Sequence, residues 1–405
     1  MLLKENLQKN RIFADDYSEE RFRASLTREV ALCRQFEGGI REVILTDSGP
    51  DSVAAVLSCL LTEVPVLLAS SSWGKWTWDA YAQVKDSRVG KGSVLIRTGG
   101  SSGKPKFAIH SWETLQASAE NLWNHLGRRP MSAILDLPLN HVSGWMPVMR
   151  ALVSGGSVLV PGAGEFEQLP GMRLFSVVPT TLYRALANPK KKRILQQADR
   201  VFAGGAAFSP ELLEEGRRAN LALSLVYGMT ETAAMVAVQD PDDFAAGREP
   251  RVSSIGSNQI ESGDQNEIRI RSNQLFAGYL GQARREGAFW PTGDLGALDE
   301  EGRLDLWGRK GRFVSSGGET VSLEKIEEAA KRLPGVADAY AAANQDPEWG
   351  ERVHLFLVSE ESAQFDWRKE LKSILDPHEI PASVKDLKEI PRNGAGKVDP
   401  DRLFG

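Results

Sequence analysis

Residues 96–106 read Ile96-Arg97-Thr98-Gly99-Gly100-Ser101-Ser102-Gly103-Lys104-Pro105-Lys106, and the reading of this stretch decides the rest. A run of strand formers leads into it, and the strand-like Phe107-Ala108-Ile109 follows. From Thr98 onward it packs three glycines, three hydroxyls and two lysines into nine residues. Glycine lets a backbone come close to an anion with its N–H groups pointing at it, and hydroxyl and ammonium groups add donors and charge. That is the chemistry of a phosphate cradle. Three other patterns compete. A Walker A loop aligned on Gly103-Lys104 needs glycine where Thr98 stands and a hydroxyl where Pro105 stands, so it is excluded. Gly99-Gly100-Ser101-Ser102-Gly103 fits the spacing of a hydrolase nucleophile elbow on Ser101, but an elbow runs straight into a helix, and here a helical pattern starts only near Ser111. An ordinary Gly/Ser surface turn is the third.

Outward from this loop the chain alternates. Short apolar runs at 42–45 and 64–68 flank a helical pattern at 51–61, which reads as a β-α-β unit with parallel strands. Further runs at 93–96, 133–137, 157–160, 174–178, 201–203 and 223–226 are separated by amphipathic segments such as 111–126 and 181–186. The pattern predicts an α/β protein whose large N-terminal body holds mostly parallel sheets with flanking helices. From about Asp240 the texture changes: Glu267-Ile268-Arg269-Ile270-Arg271 and 302–307 alternate as half-buried antiparallel strands do. After Gly311 a strand at 312–314, a helix at 323–332, strands at 336–342 and 353–358 and a helix at 367–374 predict a small α+β domain. The expected division is 1–309 and 310–405.

Composition narrows the function classes. Over 405 residues, 41% are hydrophobic and 25% charged, with a net charge of −5, so a folded core is expected and no overall attraction to nucleic acid or anionic lipid. The one basic run, Pro189-Lys190-Lys191-Lys192-Arg193, has no second of its kind and reads as a solvated loop or helix start. Two cysteines, Cys33 and Cys59, are too few for a disulfide framework or a Cys-rich zinc site. The charged N-terminus lacks a signal-type apolar core, and the longest apolar stretch is interrupted by Glu63 and Pro65. A soluble cytoplasmic protein without stable membrane insertion is expected.

Thr98 to Lys106 resembles the phosphate-binding loop of the adenylate-forming superfamily, which comprises acyl-CoA ligases, peptide-synthetase adenylation domains and beetle luciferases; Phe107 departs from the usual glycine there. Further motifs follow in the family's order. Gly204-Gly205-Ala206-Ala207 resembles the segment whose backbone lies along adenine. In Tyr227-Gly228-Met229-Thr230-Glu231 the resemblance implies that Tyr227 stacks on adenine, Thr230 meets the α-phosphate and Glu231 helps hold Mg²⁺. Pro291-Thr292-Gly293-Asp294 resembles the family's Thr-Gly-Asp motif, which implies that Asp294 accepts from both ribose hydroxyls, and Gly308-Arg309 resembles the next motif, whose arginine would reach the same sugar. Residues 391–398 resemble the C-terminal motif carrying the adenylation lysine, here Lys397. The implied sites are Thr98, Gly99, Gly100, Ser101, Ser102, Gly103, Gly205, Ala206, Tyr227, Gly228, Met229, Thr230, Asp294 and Arg309 for ATP or AMP, with Lys106 and Lys397 on the phosphates.

The family makes acyl-AMP from a carboxylic acid and ATP, then transfers the acyl group to a thiol, here coenzyme A, and its C-terminal domain swings between the two steps. The hinge position, usually Asp or Lys, is Gly311, and Gly317 and Gly318 would line the pantetheine tunnel. Pro138-Leu139-Asn140-His141-Val142-Ser143-Gly144 resembles the substrate segment of the o-succinylbenzoate–CoA ligases of menaquinone and phylloquinone synthesis, with Asn140 in place of Phe. His141 would then gate the boundary of acyl and thiol pockets. Arg150 would neutralise the carboxylate that survives activation. Ligation of another aryl or medium-chain acid, a non-catalytic adenylate-binding relative and a Ser101 hydrolase are the alternatives.

Overall fold

The computed structural model describes residues 2–45, 49–73, 75–99, 105–161, 166–205, 208, 210–310, 312–316, 319–346, 350–359, 366–372, 374–375, 379–392, 398–399 and 402–404. The expected β-α-β unit is present. Arg41–Ile44 and Val66–Ala69 run parallel, joined by the helix Pro50–Leu61, whose proline occupies the first turn, where no N–H partner is needed. Val94–Gly99 adds a third parallel strand, and Pro105–His110 closes this four-stranded sheet antiparallel.

A second sheet holds seven strands in the order Ser253–Ser254, Ala234–Val238, Leu223–Met229, Arg200–Ala203, Met172–Val177, Met131–Ile134 and Val158–Leu159. The last five are mutually parallel, and Ala234–Val238 returns antiparallel along Leu223–Met229. Both faces of this sheet are covered, which is why its strands read as continuous apolar runs. Met172 and Leu174 enter one core with Phe202, while Phe175 and Val177 enter another with Val201 and Leu182. The largest core surrounds the helix Val142–Ser154, where Trp145, Met146, Met149 and Leu152 are fully buried. The nineteen-residue helix Asp16–Arg34, capped by Asp15, packs on the helix Pro50–Leu61.

The chain gathers into two compact units. One contains residues 1–261, 269–290 and 298–305; the other contains 262–268, 291–297 and 306–405. In the second unit a sheet of Glu319–Ser322, Phe313–Ser316, Gly350–Ser359 and Val336–Asp346 is antiparallel, and Ser383–Asp386 joins Gly350–Ser359 parallel. The helix Leu323–Lys331, capped by Ser322, buries Leu323, Ile326 and Ala330 against Ala341, Leu355 and Leu357. The basic run opens the helix Pro189–Gln197 with Lys191 on Asp136 at 3.2 Å, in line with the solvated reading. Among the described residues no helix is long and apolar enough to cross a membrane.

Candidate active site

The glycine-rich loop is a hairpin connection. Thr98 pairs with Lys106 and Gly99 with Pro105, so the strands run up to both ends of the turn. Gly100, Ser101, Ser102 and Gly103 lie outside the described residues. A strand and not a helix follows the turn, and the helix Trp112–His125 begins only after the Ser111 cap, so the backbone course required of a nucleophile elbow is missing. Side chains alternate along Pro105–His110, which puts Lys106, Ala108 and His110 on one face. His110 reaches a partner at the second motif, and Lys106 faces the Tyr279 ring.

That motif ends the strand Leu223–Met229, where Tyr227 is buried. Gly228 faces the returning strand closely: a Cβ there would sit 2.1 Å from the Ala234 carbonyl oxygen and 2.6 Å from the Met235 Cα. Both obstacles are backbone. Gly228→Ala is therefore expected to destabilise the fold by roughly 1–3 kcal/mol, the usual cost of overpacking. Urea unfolding would read this as a lower midpoint at unchanged slope, and a parental midpoint would contradict it.

The turn Thr230–Thr232 then carries Ala233 and Ala234 at φ 46° and 82°, a left-handed path that costs an alanine about 1–2 kcal/mol each. Six successive carbonyls are anchored to hold it. Thr230 O accepts from His110 Nε2 at 2.7 Å, and Glu231 O accepts from the Phe276 N–H at 2.9 Å. Gln274 Nε2 donates to Thr232 O at 2.6 Å and to Met235 O at 3.0 Å. Ser118 Oγ donates to Ala233 O at 2.6 Å, and Thr232 Oγ1 to Ala234 O at 2.5 Å. A carbonyl only accepts, so His110 carries its proton on Nε2. Burial pushes the imidazole down to about 4 against the smaller opposing pull of that carbonyl, so His110 is neutral near pH 7. The turn is held by bonds from the protein itself.

Glu231 is 7% exposed. Its Oε1 accepts from the Tyr279 hydroxyl at 2.7 Å, and Lys106 Nζ stands 4.8 Å from the centroid of the Tyr279 ring. Two residues expected at the phosphates, Lys106 and Glu231, thus meet through a third that the sequence did not single out. His110 and Gln274 were missed in the same way; 273–280 mixes amide, aromatic and glycine residues with no period, and its one signal is two consecutive amides, Asn273 and Gln274, beside an apolar run. A single hard carboxylate suits Mg²⁺, which keeps waters and substrate phosphates as its other ligands. Among the described residues no group of three or more potential ligands forms a protein-only metal cage.

Gly205 lies just past the strand Arg200–Ala203, whose Ala203 pairs with Leu225 two residues before Tyr227. Ala206 is outside the described residues. His141 caps the helix Val142–Ser154 through its backbone and uses no side-chain bond to do so. Gly144 permits the approach, because a Cβ there would sit 2.1 Å from Pro138 O. Surrounding protein first, and the positive Arg97 next to Thr98 second, hold the His141 imidazole below its ordinary value. Arg150, on the same helix, is 4% exposed, with Nε lacking a hydrogen-bond partner and the guanidinium 5.9 Å from the Phe202 ring centroid. Among the described residues no carboxylate pairs with it, and burial alone lowers it to about 10. It remains charged at neutral pH, a buried cation with no carboxylate beside it among the described residues.

In the second unit Asp294 is half-buried, and its N–H donates to Thr292 Oγ1 at 3.0 Å while that hydroxyl donates to Ile268 O at 2.8 Å. The strand Leu304–Arg309 ends at the second expected ribose residue, Arg309, whose backbone alone is described. Gly311, Gly317, Gly318 and Lys397 lie outside the described residues.

Comparison with known proteins gives the family. A family model for AMP-binding enzymes matches residues 42–280, more than half the chain, and the model for the C-terminal domain of AMP-binding enzymes matches 325–397. A 2-succinylbenzoate–CoA ligase of Listeria monocytogenes is 26% identical over 90% of this chain and 78% of its own length. One from Bacillus velezensis is 28% identical over 80% of this chain and 70% of its length. The fold is shared with o-succinylbenzoate CoA synthetase of Bacillus subtilis. Its complex with the acyl-adenylate intermediate superposes with a TM-score of 0.82 at 22% identity, over 100% of this chain and 98% of that one. Its complex with ATP and magnesium ion gives 0.84 at 21%, over 100% and 99%. The chain belongs to the AMP-binding enzyme family.

Proposed function

We propose that this protein is an acid–thiol ligase that converts 2-succinylbenzoate and ATP to an acyl-adenylate and pyrophosphate, then passes the acyl group to coenzyme A with loss of AMP. The relatives of that name, similar across most of the chain, support the substrate. The observation that carries the choice of acid is Arg150. Among the described residues no anion pairs with this buried guanidinium, which is costly, and 2-succinylbenzoate brings one: its aromatic carboxylate stays ionised after the succinyl carboxylate is activated.

The chemistry follows from charge. A carboxylate is a poor electrophile until it is joined to phosphate, and when it attacks the α-phosphate, negative charge gathers on the phosphate oxygens. Fixed positive groups in a preorganised site stabilise that charge. Lys106, Thr230 and the hairpin turn are the groups assigned to it in the first unit, and Lys397 in the second. Mg²⁺ held at Glu231 would neutralise phosphate charge when bound. Tyr227 and Gly205 are assigned to the adenine, and Asp294 and Arg309 to the ribose. His141 is assigned to the boundary where the thiol enters; neutral at pH 7, it adds no charge to a thioester site. We assign residues 310–405 to a swinging domain that delivers Lys397 for the first step and withdraws it for the second. Both cysteines are free and buried, which agrees with a cytoplasmic location.

With ATP, Mg²⁺ and coenzyme A, the purified protein is expected to release AMP and form a thioester from 2-succinylbenzoate at a higher kcat/KM than from benzoate, malonate or medium-chain acids, measured by liquid chromatography and mass spectrometry. Thioester from another acid but none from 2-succinylbenzoate would overturn the substrate and leave the reaction class standing.

A further inference from the structure

We propose that Tyr279 is the positioning residue of the phosphate–metal centre: its hydroxyl fixes the direction of the Glu231 carboxylate and its ring face holds the Lys106 ammonium. This rests on the roles given above to Glu231 and Lys106. The contacts are the 2.7 Å hydrogen bond to Glu231 Oε1 and the 4.8 Å approach of Lys106 Nζ to the ring centroid. The segment that carries Tyr279 is tied to the same elements by its backbone. Phe276 N–H donates to Glu231 O, Ala277 N–H to Ile109 O and Leu280 N–H to Phe107 O, each within 2.9 Å. Phe276 meets the Tyr279 ring edge-on at 4.9 Å, which limits rotation of the phenol.

The choice of tyrosine has a chemical sense. A phenol O–H is a donor that occupies one carboxylate oxygen and leaves the other for a hard cation. A Lys or Arg in its place would also bind Glu231, but would cancel the charge the metal needs. On the other side, a ring face attracts an ammonium through its quadrupole without neutralising it. A carboxylate partner would hold Lys106 as well but would quench the charge meant for phosphate. Tyr279 orients an anion and a cation and spends the charge of neither.

Tyr279→Phe keeps the ring and removes the hydroxyl; Tyr279→Leu removes both. The readout is ATP affinity by equilibrium dialysis, with Mg²⁺ and with EDTA, alongside Glu231→Gln and a thermal unfolding midpoint for each protein. Tyr279→Phe is expected to lose about tenfold of the Mg²⁺-dependent gain in ATP affinity, the worth of a hydrogen bond to a charged group, at unchanged metal-free affinity. Tyr279→Leu is expected to weaken metal-free binding about threefold in addition, as Lys106 is released. A parental Mg²⁺ gain in Tyr279→Phe, with Glu231→Gln losing it, would overturn the proposal for Tyr279 alone. A parental gain in Glu231→Gln would overturn the assignment of Glu231, and the proposal with it. If Tyr279→Leu fails to fold, the Tyr279→Phe comparison still decides.

Discussion

Lys397→Ala is expected to lower acyl-adenylate formation by about a thousandfold or more, while thioester formation from supplied acyl-adenylate changes by less than about threefold. A loss of that size is ~4 kcal/mol of transition-state stabilisation, the scale of one well-placed charge in a site closed to water. The asymmetry is the diagnostic part. In the first half-reaction charge grows on the α-phosphate, where an ammonium is most useful. In the second, the phosphate leaves as AMP and the acyl carbon is already activated, so the same ammonium has little to stabilise. Lys397 belongs to the segment matched by the C-terminal domain model, separate from the segment that contains Lys106 and Glu231. A lysine supplied by a separate segment can be present for one step and absent for the next, which a lysine on the hairpin cannot. ATP–pyrophosphate exchange reads the first half-reaction, and loss of free thiol from coenzyme A reads the second. Equal loss in both would mean that Lys397 supports the fold or a shared pocket and would remove it from the chemistry.

The sequence made some parts of this molecule legible and hid others, for identifiable reasons. The parallel strands were readable because both faces are buried, so Val66–Ala69, Met172–Val177 and Arg200–Ala203 stand out as apolar runs. The helix Asp16–Arg34 was not readable. Its buried positions, Ser18, Phe22, Ser25 and Cys33, follow a helical spacing, but two of them are serines, so the inward face carries little hydrophobic contrast. At the site, the groups assigned to ligand sit in compact motifs with glycine or charge, which a sequence displays directly. The groups that hold them do not: His110, Gln274 and Tyr279 act through long-range bonds to the 230–235 turn. No local pattern announces partners 39 to 120 residues away. The strained turn at Ala233 and Ala234 was hidden for a further reason, since alanine does not advertise a left-handed backbone and only the tertiary bonds around it impose one.

Arg150→Met is expected to raise KM for 2-succinylbenzoate about a hundredfold, with KM for ATP unchanged and with the unliganded protein as stable as the parent or more so. The two halves of this expectation have one cause. In the free protein the guanidinium is buried without an anionic partner among the described residues, and the cost of removing it from water shows in the lowering of its pKa to about 10. An isosteric apolar side chain carries no such cost and packs as well beside Phe202. What the methionine loses is the carboxylate: a charge-paired site that forfeits its cation must leave the ligand's anion unpaired, at about 2–4 kcal/mol. An arginine that merely supported the helix would give the opposite stability result, because its removal would lower the unfolding midpoint. A substrate analogue sharpens the test. 4-Oxo-4-phenylbutanoate keeps the reacting succinyl arm and lacks the aromatic carboxylate, so the parent should favour 2-succinylbenzoate over it by about two orders of magnitude in kcat/KM, while the methionine variant should treat the two alike. Preference surviving in the variant would show that the carboxylate is read by some other group, and Arg150 would then be a buried cation without a ligand.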